Sequence, residues 1–294
     1  MKLPWLPILL VACLPLTLPA LDTPKIEEVT GLKGTLNEEE GVFKVTFPRG
    51  DLGVTVDGWK MPAFMGLTTW AAFTEGKKDE AMVMGDLVLL QDEVNPVMST
   101  LLDAGLSVTA LHNHFFHDDP KAYFMHIEGE GTAEKLATGV RAALEKVKEI
   151  RTASARPADS FGGGIPEKST ITAAPLASLI GGKPQEKDGM VKFVLGRTAK
   201  MPCGCEVGKE MGVNTWAAFA GTDDNAVVDG DFACLESELQ PVLKSLRAGG
   251  IHIVAIHQHM TMENPRYIFL HYWGRGKAAD LAAKLKSALD TQSK

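Results

Sequence analysis

A long internal repeat constrains this chain more than any other feature. Thr69-Trp70-Ala71-Ala72-Phe73 recurs as Thr215-Trp216-Ala217-Ala218-Phe219. Ala110-Leu111-His112-Asn113-His114 recurs as Ala255-Ile256-His257-Gln258-His259. Gly85-Asp86 returns as Gly230-Asp231, Glu93 as Glu238, Pro96 as Pro241 and His126 as His271, each 145 residues on. The spacing widens to 146 at Trp70 and 148 at Gly41, so copy 1 carries a few extra residues between Asp51 and Phe64. A period this long describes two domain-sized copies, not a solenoid. Arg151 to Ser169, small, polar and rich in Gly and Pro, reads as the connection. The expected layout is a leader over 1–20, copy 1 over 25–150, a linker over 151–171 and copy 2 over 172–294.

Each copy carries the same pattern of elements. Gly41–Phe47 and Met190–Leu195 alternate like strands, and Thr68–Thr74 and Glu80–Leu90 read as two more. A helix begins near Asp92 or Ser237, where Ser237 to Gln240 has capping-box spacing and Pro96 or Pro241 falls in the first turn. Strands over Ser107–Phe116 and Ala122–Glu128 follow, then a helix over Thr132–Lys148 with Leu136, Val140, Ala143 and Val147 on one face. The expected fold is α+β: two tandem homologous copies, each a mainly antiparallel sheet with two helices, packed as a pseudo-twofold pair. Trp70 and Trp216 lie in apolar strands and are expected in the core.

The N-terminus has the layout of an export signal. Lys2 precedes an apolar run from Leu3 to Leu18, which ends at Ala20 before Asp22-Thr23-Pro24-Lys25. The run is short and rich in Pro for a membrane span. Leu10-Val11-Ala12-Cys13 also fits a lipobox, which would make Cys13 a lipid anchor. No second apolar run reaches spanning length, so an exported, periplasmic or envelope-associated protein without a transmembrane span is expected. Cleavage leaves Cys203, Cys205 and Cys234, an odd number that is no disulfide framework, although Cys203 or Cys205 could bridge to Cys234. The net charge of −7 and the lack of a Lys/Arg run argue against a nucleic-acid partner.

Six of the eight histidines fall at matched positions: His112, His114 and His126 in copy 1, and His257, His259 and His271 in copy 2. Residues i and i+2 on a strand share a face, about 7 Å apart. A hairpin turning at Asp118-Asp119-Pro120, in a register that sets His126 opposite His114, would put Glu128 opposite His112 on the same face. Copy 2 would then place His271 opposite His259 and Trp273 opposite His257. Three imidazoles with a carboxylate nearby make a candidate site for zinc, manganese, iron or copper. Asp118 and Glu263, spaced as H-x-H-x(3)-acid, are equally readable as ligands or as turn-capping carboxylates. Hydrogen-bonded scaffolding is the bland alternative for the whole cluster. His117 and His252 have no counterpart, and His252, alternating with Ile251 and Ile253, is expected on the other face of its strand.

Weaker candidates are Arg49 and Arg197, matched and able to hold an anion, though a structural ion pair suits them better. Lys60–Met65 matches Lys200–Cys205, and the sulfurs there and at Met260 and Met262 suit copper, though Met and Cys more often fill cores. No G-x-S-x-G, P-loop, dinucleotide fingerprint or H-E-x-x-H occurs, so serine-hydrolase and nucleotide chemistry find no support.

The string A-L/I-H-x-H, then P-x(2)-Y/I-F-M/L-H-x-x-G-x-G, with T-W-A-A-F, resembles the LppY/LpqO family of bacterial exported proteins, which carry a domain of unknown function. The resemblance covers most of both copies and implies an envelope protein, often a lipoprotein. It implies no activity. Two functions therefore stand: a protein binding a metal or small polar ligand through its His clusters, and a metal-dependent hydrolase-like enzyme with Glu128, Asp118 or Glu263 as base. A structural envelope protein is the third reading.

Overall fold

The computed structural model describes residues 21–77 and 80–293; the expected leader, residues 1–20 with Cys13, lies outside them. Copy 1 runs α1 (Thr23–Thr30), β1 (Gly34–Asn37), β2 (Val42–Pro48), β3 (Thr68–Glu75), β4 (Ala81–Leu90), α2 (Val94–Asp103), β5 (Ser107–His112), β6 (Ala122–Gly131) and α3 (Ala133–Ala153). Copy 2 repeats this as α4 (Ala173–Ile180), β7 (Gln185–Lys187), β8 (Met190–Gly196), β9 (Asn214–Gly221), β10 (Ala226–Leu235), α5 (Glu236–Ala248), β11 (His252–His257), β12 (Tyr267–Gly276) and α6 (Ala278–Leu289). Each copy thus has three helices rather than two. The short α1 and α4 escape notice because eight residues hold barely two turns of periodicity. Among the described residues no helix is long and apolar enough to cross a membrane.

These twelve strands join one antiparallel sheet in the order β1-β2-β3-β4-β6-β5-β11-β12-β10-β9-β8-β7, while two-residue strands at 55–56, 59–60 and 118–119 and at 199–200 and 206–207 form two small separate sheets. The order of copy 1 is the reverse of that of copy 2, and β5 meets β11 at the centre through Leu111 opposite Ile256. One sheet face carries the helices. Phe43, Phe73, Val83 and Ile127 from copy 1, and Phe193, Phe219, Val228 and Tyr272 from copy 2, bury there in a single apolar core. Alternate residues of the same strands point to the opposite face, which carries none of the six α-helices.

Both central strands are bulged, between Val108 and Ala110 and between Ile253 and Ala255. Their irregular peptides are satisfied from the other copy. Asn95 on α2 donates from Nδ2 to the Ile253 carbonyl (3.0 Å) and accepts from its N–H (2.7 Å). Gln240 on α5 donates to the Val108 carbonyl (2.8 Å) and accepts from its N–H (3.0 Å). Gln240 therefore does not close a capping box with Ser237. That role falls to Glu238, whose carboxylate accepts from Leu235 N–H at 2.9 Å.

Candidate metal centre

The face without α-helices positions the histidines. Along β6, His126 faces Asp86 of β4 on one side and Ala110 of β5 on the other. His112 faces Phe124, four residues along from the expected Glu128, so His126 lies diagonal to His112 and Glu128 faces Ser107 and Met84. The slip is by an even number, so the three histidines still share a face, but exposed Glu128 is not opposite His112. Copy 2 repeats the pattern, with His271 between Asp231 and Ala255. Leu111 pairs with Ile256 across the seam, and both side chains point into the helix-side core, so the histidines next to them in each copy lie on the opposite face of the joined sheet.

A small apolar core on this face anchors each cluster. In copy 1 residues 52–67 fold over Val88 and Phe124, and in copy 2 residues 199–213 fold over Ala233 and Phe269. His114 stacks on Phe124 with ring centroids 3.3 Å apart, and His259 on Phe269 at 3.6 Å.

Copy 2 holds the tighter constellation. Asp231, His257 and His259 each offer a ligand atom within 4.8 Å of the others. His259 Nε2 lies 3.2 Å from Asp231 Oδ2, and the His257 ring is 5.0 Å from that of His259 and 4.7 Å from that of His271. Asp231 is 2% exposed. Its Oδ1 and the Nε2 of His257 are buried with no hydrogen-bond partner among the described residues. Burial pushes the Asp231 carboxyl up to about 6, against the pull of His271. Burial, with His271 and His259 adding repulsion, holds His257 below the ordinary histidine range. Burial also lowers His259, although a hydrogen bond to the Gly212 backbone works the other way. Neutral imidazoles beside a carboxylate that lacks a counter-charge are the ligand states a cation needs.

Copy 1 is looser. His126 Nε2 faces His112 Nε2 at 3.1 Å, and Asp86 Oδ1 is likewise buried and unpartnered among the described residues. Burial raises the Asp86 carboxyl, opposed by His126, His114 and His112. Burial lowers His114, with His112 adding to it. The two aspartates were visible in the sequence only as part of the repeated Gly-Asp. Strand pairing sets Asp86 opposite His126 and Asp231 opposite His271.

The other candidates lie apart. Asp118 Oδ2 accepts from Ala122 N–H (2.8 Å) and Glu263 Oε1 from Tyr267 N–H (3.1 Å), each closing its own turn. Arg49 is buried, and its guanidinium is shared among Glu93, Asp51 and the Val88 carbonyl, leaving no donor for an outside anion. Arg197 forms the same pair with Glu238, joined by the Ala233 carbonyl. His117 adopts φ 58°, and its carbonyl accepts from Asp57 N–H.

Three expectations need correction. Trp70 and Trp216 are not core but half-buried on the side without α-helices, each under a lysine, Lys44 or Lys192, at 4.3 Å. The match of Lys60–Met65 with Lys200–Cys205 dissolves, because Lys60 pairs with Thr55 as Glu206 pairs with Lys200. Cys203 and Cys205 sit exposed at that hairpin's tip while Cys234 is buried, and all three are free. Finally, His252 shares a face with His271, since it pairs with Trp273 and the bulge at Val254 reverses strand parity.

A family model described as Domain of Unknown Function (DUF1259) matches the chain twice, over residues 24–146 and 174–291. The chain belongs to that family. A search of curated proteins finds no match. Among solved structures, a trimeric bacterial microcompartment shell protein, PduB, is 12% identical, with 88% of this chain and 89% of that one covered and a TM-score of 0.19. A double-ringed trimeric shell protein from the RMM microcompartment is 12% identical over 74% of this chain and 82% of its own, with a TM-score of 0.20.

Proposed function

We propose that this DUF1259 chain is an exported envelope protein that binds a divalent transition metal through Asp231, His257 and His259, with His271 beside them. Asp86, His112, His114 and His126 form the matched, weaker position. The observation that carries the reading is the pair of buried, unpartnered ligand atoms, Asp231 Oδ1 and His257 Nε2, within one tight cluster. Two imidazoles and a carboxylate suit zinc, iron, manganese or copper better than calcium or magnesium.

The test is metal analysis and calorimetric titration of residues 21–294 with zinc, copper, manganese and iron(II). We expect at least one metal to bind, and replacing His257 and His259 together by Ala to abolish the tighter site while the fold is kept. No uptake of any of the four would sink the reading.

Export rests on the Lys2–Ala20 layout and on the resemblance to LppY/LpqO proteins. Mass spectrometry of the secreted chain should find Leu21 at its start, whereas a diacylated Cys13 would make it a lipoprotein instead. The pseudo-twofold relation of the copies is supported by the reciprocal contacts of Asn95 and Gln240.

A further inference from the structure

Beside β11, where β5 has ended at His112, a cleft of about 820 Å³ opens between the copies. The volume suits a small-molecule site. The linker straps it. Gln91 Nε2 donates to the Ala158 carbonyl (2.7 Å), Phe161 stacks on His252 at 4.2 Å, and Arg275 donates to the carbonyls of Gly162 and Gly163. Trp273, Tyr123 and Val254 add apolar wall, and His271 of the metal cluster borders the same space.

Arg247 supplies the charge. Its Nε donates to Ser99 Oγ (3.1 Å) and its Nη1 to the Ile251 carbonyl (2.7 Å). No acceptor among the described residues meets Nη2, and no carboxylate pairs with this guanidinium. Burial alone pushes it down to about 10. An under-compensated, partly buried guanidinium facing a cavity is a ready partner for an anion. Asp159 and Asp229 are exposed at the rim, which disfavours a polyanion.

The repeat provides an internal contrast. The residues of copy 1 that match Arg247, His252, Trp273 and Arg275 are Leu102, Ser107, Glu128 and Glu130. Copy 1 therefore has no basic or aromatic counterpart at these positions, so the duplicated fold does not require them.

We propose that this cleft binds a small monoanionic aromatic acid, its carboxylate on Arg247 and its ring against Trp273 and Phe161. The inference does not depend on metal, and it is tested on metal-free full-length protein so that the two readings fail separately.

The probes are benzoate and 2-naphthoate, followed by ligand-observed NMR and by quenching of tryptophan fluorescence. We expect 2-naphthoate to bind with a Kd of about 1 mM or tighter, and 2-naphthalenemethanol and pyrophosphate to bind at least about tenfold more weakly. Arg247→Met should weaken 2-naphthoate at least about tenfold, the effect of one charge-assisted hydrogen bond. Because Arg247 also ties α5 to α2, Phe161→Ala on the exposed linker and Trp273→Glu, the copy 1 residue, serve as second variants, both expected to weaken binding. If neither acid binds, if the neutral alcohol binds as well as the acid, or if Phe161→Ala and Trp273→Glu both bind like the parent, the proposal is overturned.

Discussion

The side-chain amide of Asn95 pairs with both the N–H and the carbonyl of Ile253, on a strand of the other copy 158 residues away. It does for the bulged strand what a neighbouring strand would otherwise do. Gln240 does the same for Val108. The two copies are thereby held by specific polar contacts as well as by their shared core.

Replacing Asn95 by Ala leaves two buried peptide groups of Ile253 unpaired. The expected cost is about 1–3 kcal/mol, read as a lowered midpoint of thermal or urea unfolding. A midpoint equal to that of the parent chain would show that water or a shifted strand satisfies the bulge.

Arg49→Ala removes the guanidinium that joins Asp51, the Val88 carbonyl and Glu93, leaving the 0% exposed Glu93 with Arg151 as its remaining cation, 2.8 Å away. It should cost about 3–5 kcal/mol, and Arg197→Ala less, because Arg197 is 18% exposed. Urea unfolding of the two variants checks the order. Equal small losses would argue that these arginines are free to hold ligands.

Burial alone would raise Glu238, but Arg197, Ser293 and the Leu235 N–H outweigh it and hold the carboxyl down at about 2. A carboxyl depressed in the fold adds stability that is present above its unfolded pKa, near 4.5, and is lost as pH falls toward 2. Glu238→Gln should therefore flatten the acid limb of the stability–pH profile, removing about 1–3 kcal/mol of its fall after allowance for solvent. An unchanged profile between pH 5 and pH 2 would refute this assignment (about the range over which Glu238 titrates).

Asp231 acts in the opposite sense. Its carboxyl is raised in the fold, so the metal-free protein loses stability as pH rises through about 6. Asp231→Asn should stabilise the metal-free chain at pH 7 by about 1–3 kcal/mol, with the gain shrinking toward pH 4. The same variant should lose the tighter metal site. Thermal unfolding with and without metal separates the two effects, and a variant that is both less stable and still metal-binding contradicts them together.

Much of this protein was legible before any folding. The repeat, the element order within each copy and the two-residue spacing of His112/His114 and His257/His259 are local, and strand parity alone places each such pair on one face. An even register then kept His126 with its neighbours although the hairpin slipped from the expected pairing. Other features depended on contacts between segments far apart in sequence. Asp86 and Asp231 became candidate ligands only once β4 lay beside β6 and β10 beside β12, because a carboxylate's role is set by what faces it across the ladder. The bulge at Val254 turned His252 to the unexpected face, and a bulge inserts a residue without leaving a mark in the apolar pattern. The joining of β5 to β11 decided the rest: it set one sheet in place of two, put both His clusters on one face of it and opened the cleft at Arg247. That junction is a contact between the edges of two folded copies, and its partners, Leu111 and Ile256, are separated by the full repeat length in sequence.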